Sequence, residues 1–213
     1  KGSYDLWEKS DGAGPVTAAD LAVNEMLEKK LKQARPEYGW LSEESAPESE
    51  RLSAERVFII DPIDGTRSFI EGSDTWAHSL AIAEHGKVVA GAVYLPKRDL
   101  LFTAELNGGA FLNGQPISCS LREALDGAQV LAARPTLEAH HWSKVPDISR
   151  HHRPSLAYRL ALTAEGKFDA MLTLRATWEW DVAAGVIITK EAGGKATDRH
   201  GSELVFNNED PRL

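Results

Sequence analysis

Val57-Phe58-Ile59-Ile60-Asp61-Pro62-Ile63-Asp64-Gly65-Thr66-Arg67-Ser68-Phe69-Ile70-Glu71 is the stretch on which the reading of this chain turns. Val57 to Ile60 is an apolar run rich in β-branched residues, which predicts a buried strand ending at Asp61. Arg67 to Glu71 reads as a short helix. Two carboxylates, a glycine and a hydroxyl therefore sit where a strand turns into a helix. Carboxylates at such a strand end are hard oxygen ligands suited to Mg²⁺. Backbone N–H groups at a helix start suit a phosphate. One turn thus supplies both halves of a phosphate-processing site.

Composition narrows the partners. A chain of 213 residues that is 42% hydrophobic and 26% charged is long enough for one sizeable domain and too apolar for disorder. Its net charge of −8 disfavours a nucleic-acid polymer, which needs a basic surface. A small phosphate is still compatible, because bound cations reverse the local charge of an acidic site. No apolar run approaches the length of a membrane span, and Lys1-Gly2-Ser3-Tyr4-Asp5 has no signal-peptide pattern, so no membrane partner is expected. The lone Cys119 permits no internal disulfide and fits a reducing, cytoplasmic location.

Residues 1–16, ending in Asp11-Gly12-Ala13-Gly14-Pro15, read as a loop. Thr17 then reads as an N-cap with Asp20 as its acidic capping partner. Val23, Met26, Leu27 and Leu31 follow at helical spacing, predicting a helix to about Ala34. Tyr38 to Leu41 is a short strand that delivers Ser42-Glu43-Glu44-Ser45. A polar loop with Pro47 leads into the strand that ends at Asp61. From His78 to Ile117 the pattern predicts an antiparallel meander, turned at Glu84-His85-Gly86, Pro96 to Asp99, Asn107-Gly108-Gly109 and Asn113-Gly114. Residues 135–153 read as irregular. Pro154 to Gly166 reads as a helix, Phe168 to Leu174 as a strand, and Asp181 to Ala192 as an apolar helix stopped by Gly193-Gly194. Strands and helices alternate irregularly, which favours layered α and β over a βαβ array.

Other acids stand near this turn in the argument: Asp20, Glu43, Glu44 and Asp181. Each has a plain alternative. Asp20 completes a capping box, a Glu-Glu pair is usually a solvated surface, and Asp181 can simply be an N-cap. An acid beside Trp180 that opens an apolar helix is nonetheless costly unless a helix terminus or a metal compensates it.

Taken together, these residues resemble the inositol monophosphatase superfamily of Mg²⁺-dependent, often lithium-sensitive phosphatases, which includes 3'(2'),5'-bisphosphate nucleotidases. Asp20, Glu43-Glu44, Asp61-Pro62-Ile63-Asp64-Gly65-Thr66 and Trp180-Asp181 match its signature in order and spacing, with Pro15-Val16-Thr17 and Glu191-Ala192-Gly193-Gly194 as flanks. The resemblance implies an α+β fold, a layered αβαβα sandwich. It implies one catalytic domain over residues 1–213. About 1–130 would form the metal-motif half with the antiparallel sheet, and about 131–213 the C-terminal α/β half carrying Asp181. It also implies two or three Mg²⁺ ions. Glu43, Asp61, the Ile63 carbonyl and the Thr66 hydroxyl would hold the first. Asp61, Asp64 and Asp181 would hold the second, and Glu43 would also serve a weaker third. Asp20 would accept a hydrogen bond from Thr66 to orient the attacking water, and the Gly65 and Thr66 amides would cradle the phosphate. Family members usually carry a further N-terminal helix and continue past Asn207-Asn208. A homodimer is the expected assembly.

The substrate is expected to be a small phosphorylated metabolite. Inositol monophosphatases usually place a Glu seven residues before the last metal Asp, and here that position is Leu174. The nucleotidase branch tends to carry a Lys where this chain has Arg159, and a cation there suits a second phosphate. Those two positions favour a 3'(2'),5'-bisphosphate nucleotide such as 3'-phosphoadenosine 5'-phosphate. Ala133-Arg134-Pro135-Thr136 departs from that branch, so inositol 1-phosphate and sugar bisphosphates stay open, and a non-catalytic metal- or phosphate-binding scaffold is the remote alternative. Arg159 also reads as a plain solvent-facing helix residue. Glu44 and Trp178 are further pocket candidates, although Trp178, Trp180 and Trp76 also read as packing residues. The pairs His140-His141 and His151-His152 lack the spacing of a metal site and read as exposed loop.

Overall fold

The computed structural model describes residues 6–8, 15–46 and 48–213. Leu6–Glu8 (β1) pairs antiparallel with Pro15–Thr17 (β2). The loop expected over residues 1–16 is therefore partly a two-stranded ribbon, while Asp11 to Gly14, and Pro47 further on, lie outside the described residues. The first helix, Ala18–Ala34 (α1), begins and ends where the sequence predicts. Its inward face differs from the expected one: Met26 is 44% exposed, whereas Asn24 is buried. Asn24 is held inside by hydrogen bonds, accepting from the Ser42 hydroxyl at 2.6 Å and donating to Ser45 Oγ at 3.0 Å.

Seven strands form the main sheet: Gly39–Ser42 (β3), Arg56–Asp64 (β4), Ala77–Glu84 (β5), Lys87–Leu95 (β6), Leu100–Glu105 (β7), Gly109–Leu112 (β8) and Gln115–Pro116 (β9), in that spatial order. β3 and β4 are parallel and every later pair is antiparallel, which is the expected meander. Alternation along β4 sorts its side chains between two cores. Phe58 and Ile60 join Trp40 under Leu27 and Leu31 of α1. Val57 and Ile59 face the main core on the other side.

β4 does not stop at Asp61. It runs through Asp64, with a register shift between Asp61 and Asp64, and Thr66–Ile70 (α2) follows directly. Proline breaks a strand only where its missing N–H is needed. Here β3 ends opposite Ile60, so β4 has lost one neighbour, and the bulge absorbs the rest. Gly65 closes the turn at φ +97°, a conformation that side-chain-bearing residues resist.

A second, all-parallel sheet has Ile148–His151 (β11), Ala128–Ala132 (β10) and Ala170–Leu172 (β12) in that order. Its strand β11 and the 3₁₀ turns Arg134–Leu137 and Ala139–His141 replace most of the irregular segment expected over 135–153. Between the two sheets lie Leu156–Ala164 (α3) and Glu179–Glu191 (α4). Every residue of α3 is buried, Arg159 and Thr163 included. The layers are thus α1, the large sheet, the α3–α4 pair and the small sheet, an α+β sandwich of the expected type. No further α-helix is present among the described residues to form a fifth layer.

Small residues set the spacing of these layers. A Cβ on Gly91 of β6 would stand 2.6 Å from Ile187 Cγ2 and 3.0 Å from the Ala184 backbone of α4. Gly91→Val should therefore destabilise the protein by about 1–3 kcal/mol through overpacking, read from urea unfolding. An unchanged midpoint would mean that α4 does not approach the sheet this closely.

Candidate active site

The β4 bulge, the start of α3 and the start of α4 meet at one point. There Asp61, Asp64 and Asp181 each offer a carboxylate oxygen, all within 4.8 Å of one another. Asp61 is 1% exposed and Asp64 is also buried, while Asp181 is half-buried. Each is aimed by its backbone. The bulge places Asp61 and Asp64 together. Asp64 Oδ2 accepts from the Ser155 hydroxyl and the Ala157 amide, both at 2.6 Å, so it is tied to the first turn of α3. Asp181 is the third residue of α4 and Trp178 is its N-cap, so the expected N-cap role shifts by three positions. The capping chemistry survives in reverse, because Asp181 Oδ2 accepts the Trp178 amide at 3.1 Å.

Burial and crowding disfavour charge here. Asp61 is pushed well above the usual carboxylate range by burial, then by Glu43, Asp64 and Asp181. Burial raises Asp64 to about 6 despite the hydrogen bonds from Ser155 and Ala157. Burial, then the Asp64 charge, raises Asp181 to about 7. Asp61 Oδ1 is buried without a hydrogen-bond partner, an arrangement that ordinary packing avoids. An all-oxygen donor set with an orphaned buried carboxylate oxygen fits a hard divalent cation.

Around this trio stand the other sequence candidates. The half-buried Glu43 follows β3, hydrogen-bonds to Asp61 through its side chain and donates its amide to Ile60 O at 3.1 Å. Glu44 is half-buried in the same turn and its amide donates to Ser42 Oγ at 3.3 Å. Thr66 Oγ1 lies 3.4 Å from Asp20 Oδ1 and 3.2 Å from the Ile63 carbonyl, so one hydroxyl connects α1 to the bulge. Asp20 Oδ2 accepts from the Thr17 amide at 2.8 Å and the Thr17 hydroxyl at 2.6 Å. Burial raises its pKa, and those two bonds partly restore it.

The candidates for substrate contact are spread over loops. Leu174 follows β12 and is half-buried. Trp178 stacks on Trp180 with centroids 4.9 Å apart, and the Arg212 guanidinium lies 5.7 Å from the Trp178 ring centre. Arg159 is 6% exposed and does not face solvent, correcting the plain surface reading. Its guanidinium donates to the carbonyls of Arg153 and Pro154 and meets His152 Nε2 at 2.9 Å, tying down the loop that precedes α3. The exposed rings of His140 and His141 lie against each other with centroids 3.9 Å apart. Trp76 packs as expected, edge-on to Phe69 and His78.

Some supporting residues escaped the sequence reading. Ser155 caps α3, accepting from the Tyr158 amide at 2.9 Å, while its hydroxyl orients Asp64. The Ser-x-x pattern opening an apolar helix is the signal that could have exposed it. His78 Nδ1 hydrogen-bonds to the Pro62 carbonyl inside the bulge. Burial lowers its pKa, against the opposing effects of the Pro62 carbonyl and Asp20. No short-range pattern pairs those two residues.

Comparison with known proteins gives the family. Residues 2–212 match the inositol monophosphatase family. An inositol-1-monophosphatase of Rhizobium meliloti (strain 1021) is 35% identical over 200 residues, covering 87% of this chain and 73% of that protein. The 3'(2'),5'-bisphosphate nucleotidase CysQ of Escherichia coli K12 is 30% identical over 213 residues, covering 95% and 83%. A solved IMPase of Thermotoga maritima superposes with a TM-score of 0.82 at 30% identity, covering 98% of this chain and 80% of its own. The chain belongs to the inositol monophosphatase family, and it is a metal-dependent phosphomonoesterase acting on small phosphorylated substrates.

Proposed function

We propose that the chain hydrolyses a bisphosphorylated nucleotide of the 3'-phosphoadenosine 5'-phosphate type, using two or three Mg²⁺ ions. The observation that carries the metal chemistry is the convergence of Asp61, Asp64 and Asp181 on one point beside the Asp20–Thr66 contact. Glu43, Asp61, the Ile63 carbonyl and Thr66 would hold one ion, Asp61, Asp64 and Asp181 a second, and Glu43 a weaker third. Such ions polarise phosphoryl oxygens and lower the pKa of a bound water. The residues supply the rest. Thr66, oriented by Asp20, would aim a water at phosphorus, in line with the ester oxygen. As the water oxygen bonds to phosphorus, the ester P–O bond breaks and the alcohol leaves with a proton. The Gly65 and Thr66 amides would receive the phosphoryl oxygens. The domain assignment, one catalytic unit over 1–213, is part of the same proposal.

Two residues favour the nucleotide. Leu174 offers no carboxylate to bind inositol hydroxyls, and the Arg159 cation interacts with Asp64 at the edge of the cluster. The CysQ relative supports this choice. The Rhizobium inositol-1-monophosphatase, at 35% identity, favours inositol 1-phosphate as the second reading. A soluble homodimer in the cytoplasm is the proposed setting. Among the described residues no helix is long and apolar enough to cross a membrane.

Three outcomes are expected. Measured as kcat/KM with Mg²⁺, 3'-phosphoadenosine 5'-phosphate should exceed inositol 1-phosphate and fructose 1,6-bisphosphate. A preference for inositol 1-phosphate would reverse the assignment. Asp64→Asn should lose about 100-fold or more in turnover, since groups that merely orient metal ligands are worth about 10–100-fold. Near-normal turnover would remove Asp64 from the metal set.

The third concerns pH. Asp64 and Asp181 titrate near 6 and near 7 in the metal-free fold, above the ordinary carboxylate value of about 3.9. The metal-free fold therefore holds extra protons. Their stabilising effect is complete below the unfolded pKa and is lost as pH rises through about 6 to about 7. In EDTA the melting temperature should fall from pH 5 to pH 8, and Mg²⁺ should remove most of that fall. A slope indifferent to Mg²⁺ would contradict the assignment.

A further inference from the structure

Glu179 is the first residue of α4, two positions before Asp181, and it is 0% exposed. A buried carboxylate persists only where donors surround it. Among the described residues, the hydrogen bonds to its carboxylate come from one segment, Asn207-Asn208. Its Oε2 accepts the Asn207 amide at 2.6 Å, and its Oε1 accepts the Asn208 amide and side-chain Nδ2, both at 2.8 Å. Arg51, only 3% exposed, binds the same segment and also interacts with the Glu179 charge. Its Nη1 donates to Asn207 Oδ1 at 2.6 Å, and its Nη2 donates to the carbonyls of Asn208 at 2.8 Å and Glu209 at 3.2 Å. Asn207 Nδ2 returns a bond to the Arg51 carbonyl at 3.0 Å.

The segment then continues alongside the approach to α4. Thr177 and Leu213 exchange backbone hydrogen bonds at 3.2 and 2.8 Å, and the Glu179 amide donates to Pro211 O at 2.9 Å. Trp178, whose amide holds Asp181 Oδ2, lies between these two pinned residues. Arg51 sits in the 3₁₀ turn Ser49–Ser53, against β3, where a Cβ on Gly39 would come within 2.9 Å of Arg51 Cβ. β3 leads to Glu43. One strap of residues 207–213 therefore bridges the two elements that bring Glu43 and Asp181 to the site.

We propose that the Arg51–Asn207–Asn208–Glu179 clamp is a positioning device for divalent-metal binding, which sets the first turn of α4 so that Asp181 meets Asp61 and Asp64. The proposal rests on Asp181 being a metal ligand. A merely cohesive contact at this place could be apolar, at lower desolvation cost. A charged fork and two asparagine amides instead fix direction, and direction is what a ligand's backbone requires.

The test is Mn²⁺ binding to the full chain by titration calorimetry, with the Mg²⁺ dependence of turnover beside it. Glu179→Gln should weaken Mn²⁺ by about 10-fold, the range for groups that orient metal ligands. It should raise the Mg²⁺ needed for half-maximal turnover to the same extent, and added Mg²⁺ should recover the lost rate. KM for the phosphate substrate at saturating Mg²⁺ should stay within about twofold, because Glu179 itself is not among the residues assigned to substrate contact. A lower melting temperature with wild-type Mn²⁺ affinity would overturn the proposal and leave the clamp a fold anchor only. Arg51→Lys, which keeps charge but loses the fork, gives the same two outcomes should Glu179→Gln not fold. Asp181→Asn separates the two layers of argument. If it binds Mn²⁺ as the wild type does, the metal reading of Asp181 fails and the clamp proposal with it. If it weakens Mn²⁺ while Glu179→Gln does not, the clamp proposal alone fails.

Discussion

Asp61, Asp64 and Asp181 present oxygens within 4.8 Å of one another, two of them on buried residues. Like charges about 4 Å apart repel by roughly 4 kcal/mol at an effective dielectric of 20, and burial adds a desolvation cost to each. Such a trio does not assemble by preference. It has to be held by elements that are stable for other reasons, and the layers of this fold do that. β4 is fixed by apolar packing on both faces before it reaches its first acid. α3 and α4 are buried over almost their entire surface, so their N-termini cannot drift to relieve the repulsion.

The same helix starts soften the problem that they create. The positive end of a helix favours a carboxylate. Asp64 accepts amide and hydroxyl bonds from the first turn of α3, and Asp181 accepts an amide at the start of α4. These bonds lower the cost of the charged forms without removing it, since both groups still titrate near neutrality. A divalent cation held by these oxygens would relieve the remaining repulsion. Asp20 is more fully compensated by Thr17 and Thr66, in keeping with a group that holds a hydroxyl.

Local chemistry explains which parts were legible in the sequence. The Thr17–Asp20 capping box, the glycine and asparagine turns of the meander and the apolar run of β4 are short-range signals, and each gave its element directly. The convergence of the acids was legible only through the family pattern, because Asp61 and Asp181 lie in different elements that only tertiary packing brings together. Errors cluster where tertiary context overrides local preference. The apolar run of Val57 to Ile60 predicts a strand end at Asp61, yet β4 continues through Pro62, where it has already lost its β3 neighbour and tolerates the missing N–H. β11 was hidden because Ile148 to His151 carries little β-pattern of its own and is held by parallel pairing to β10. Arg159 was read as exposed on residue type alone, whereas the carbonyls that pull it inward belong to a loop with no pattern to read.

Arg159 also shows where specificity resides in a fold of this kind. In the roles proposed for them, the acid trio, the Gly65 turn and the Asp20–Thr66 contact concern only the phosphoryl group, and every phosphomonoester shares that chemistry. On the proposed reading, the part of a substrate beyond the phosphate would meet side chains near the starts of α3 and α4, where Leu174 and Trp178 are both half-buried. Arg159 does not simply extend into that space. Two of its guanidinium nitrogens are engaged with the Arg153 and Pro154 carbonyls and His152. Its charge stays in place beside the start of α3, where it interacts with Asp64. A cation arranged in this way contributes a positive field to a second anionic group without giving up its own structural bonds. If a doubly phosphorylated ligand is the substrate, as proposed, such a field would contribute to selecting it by charge.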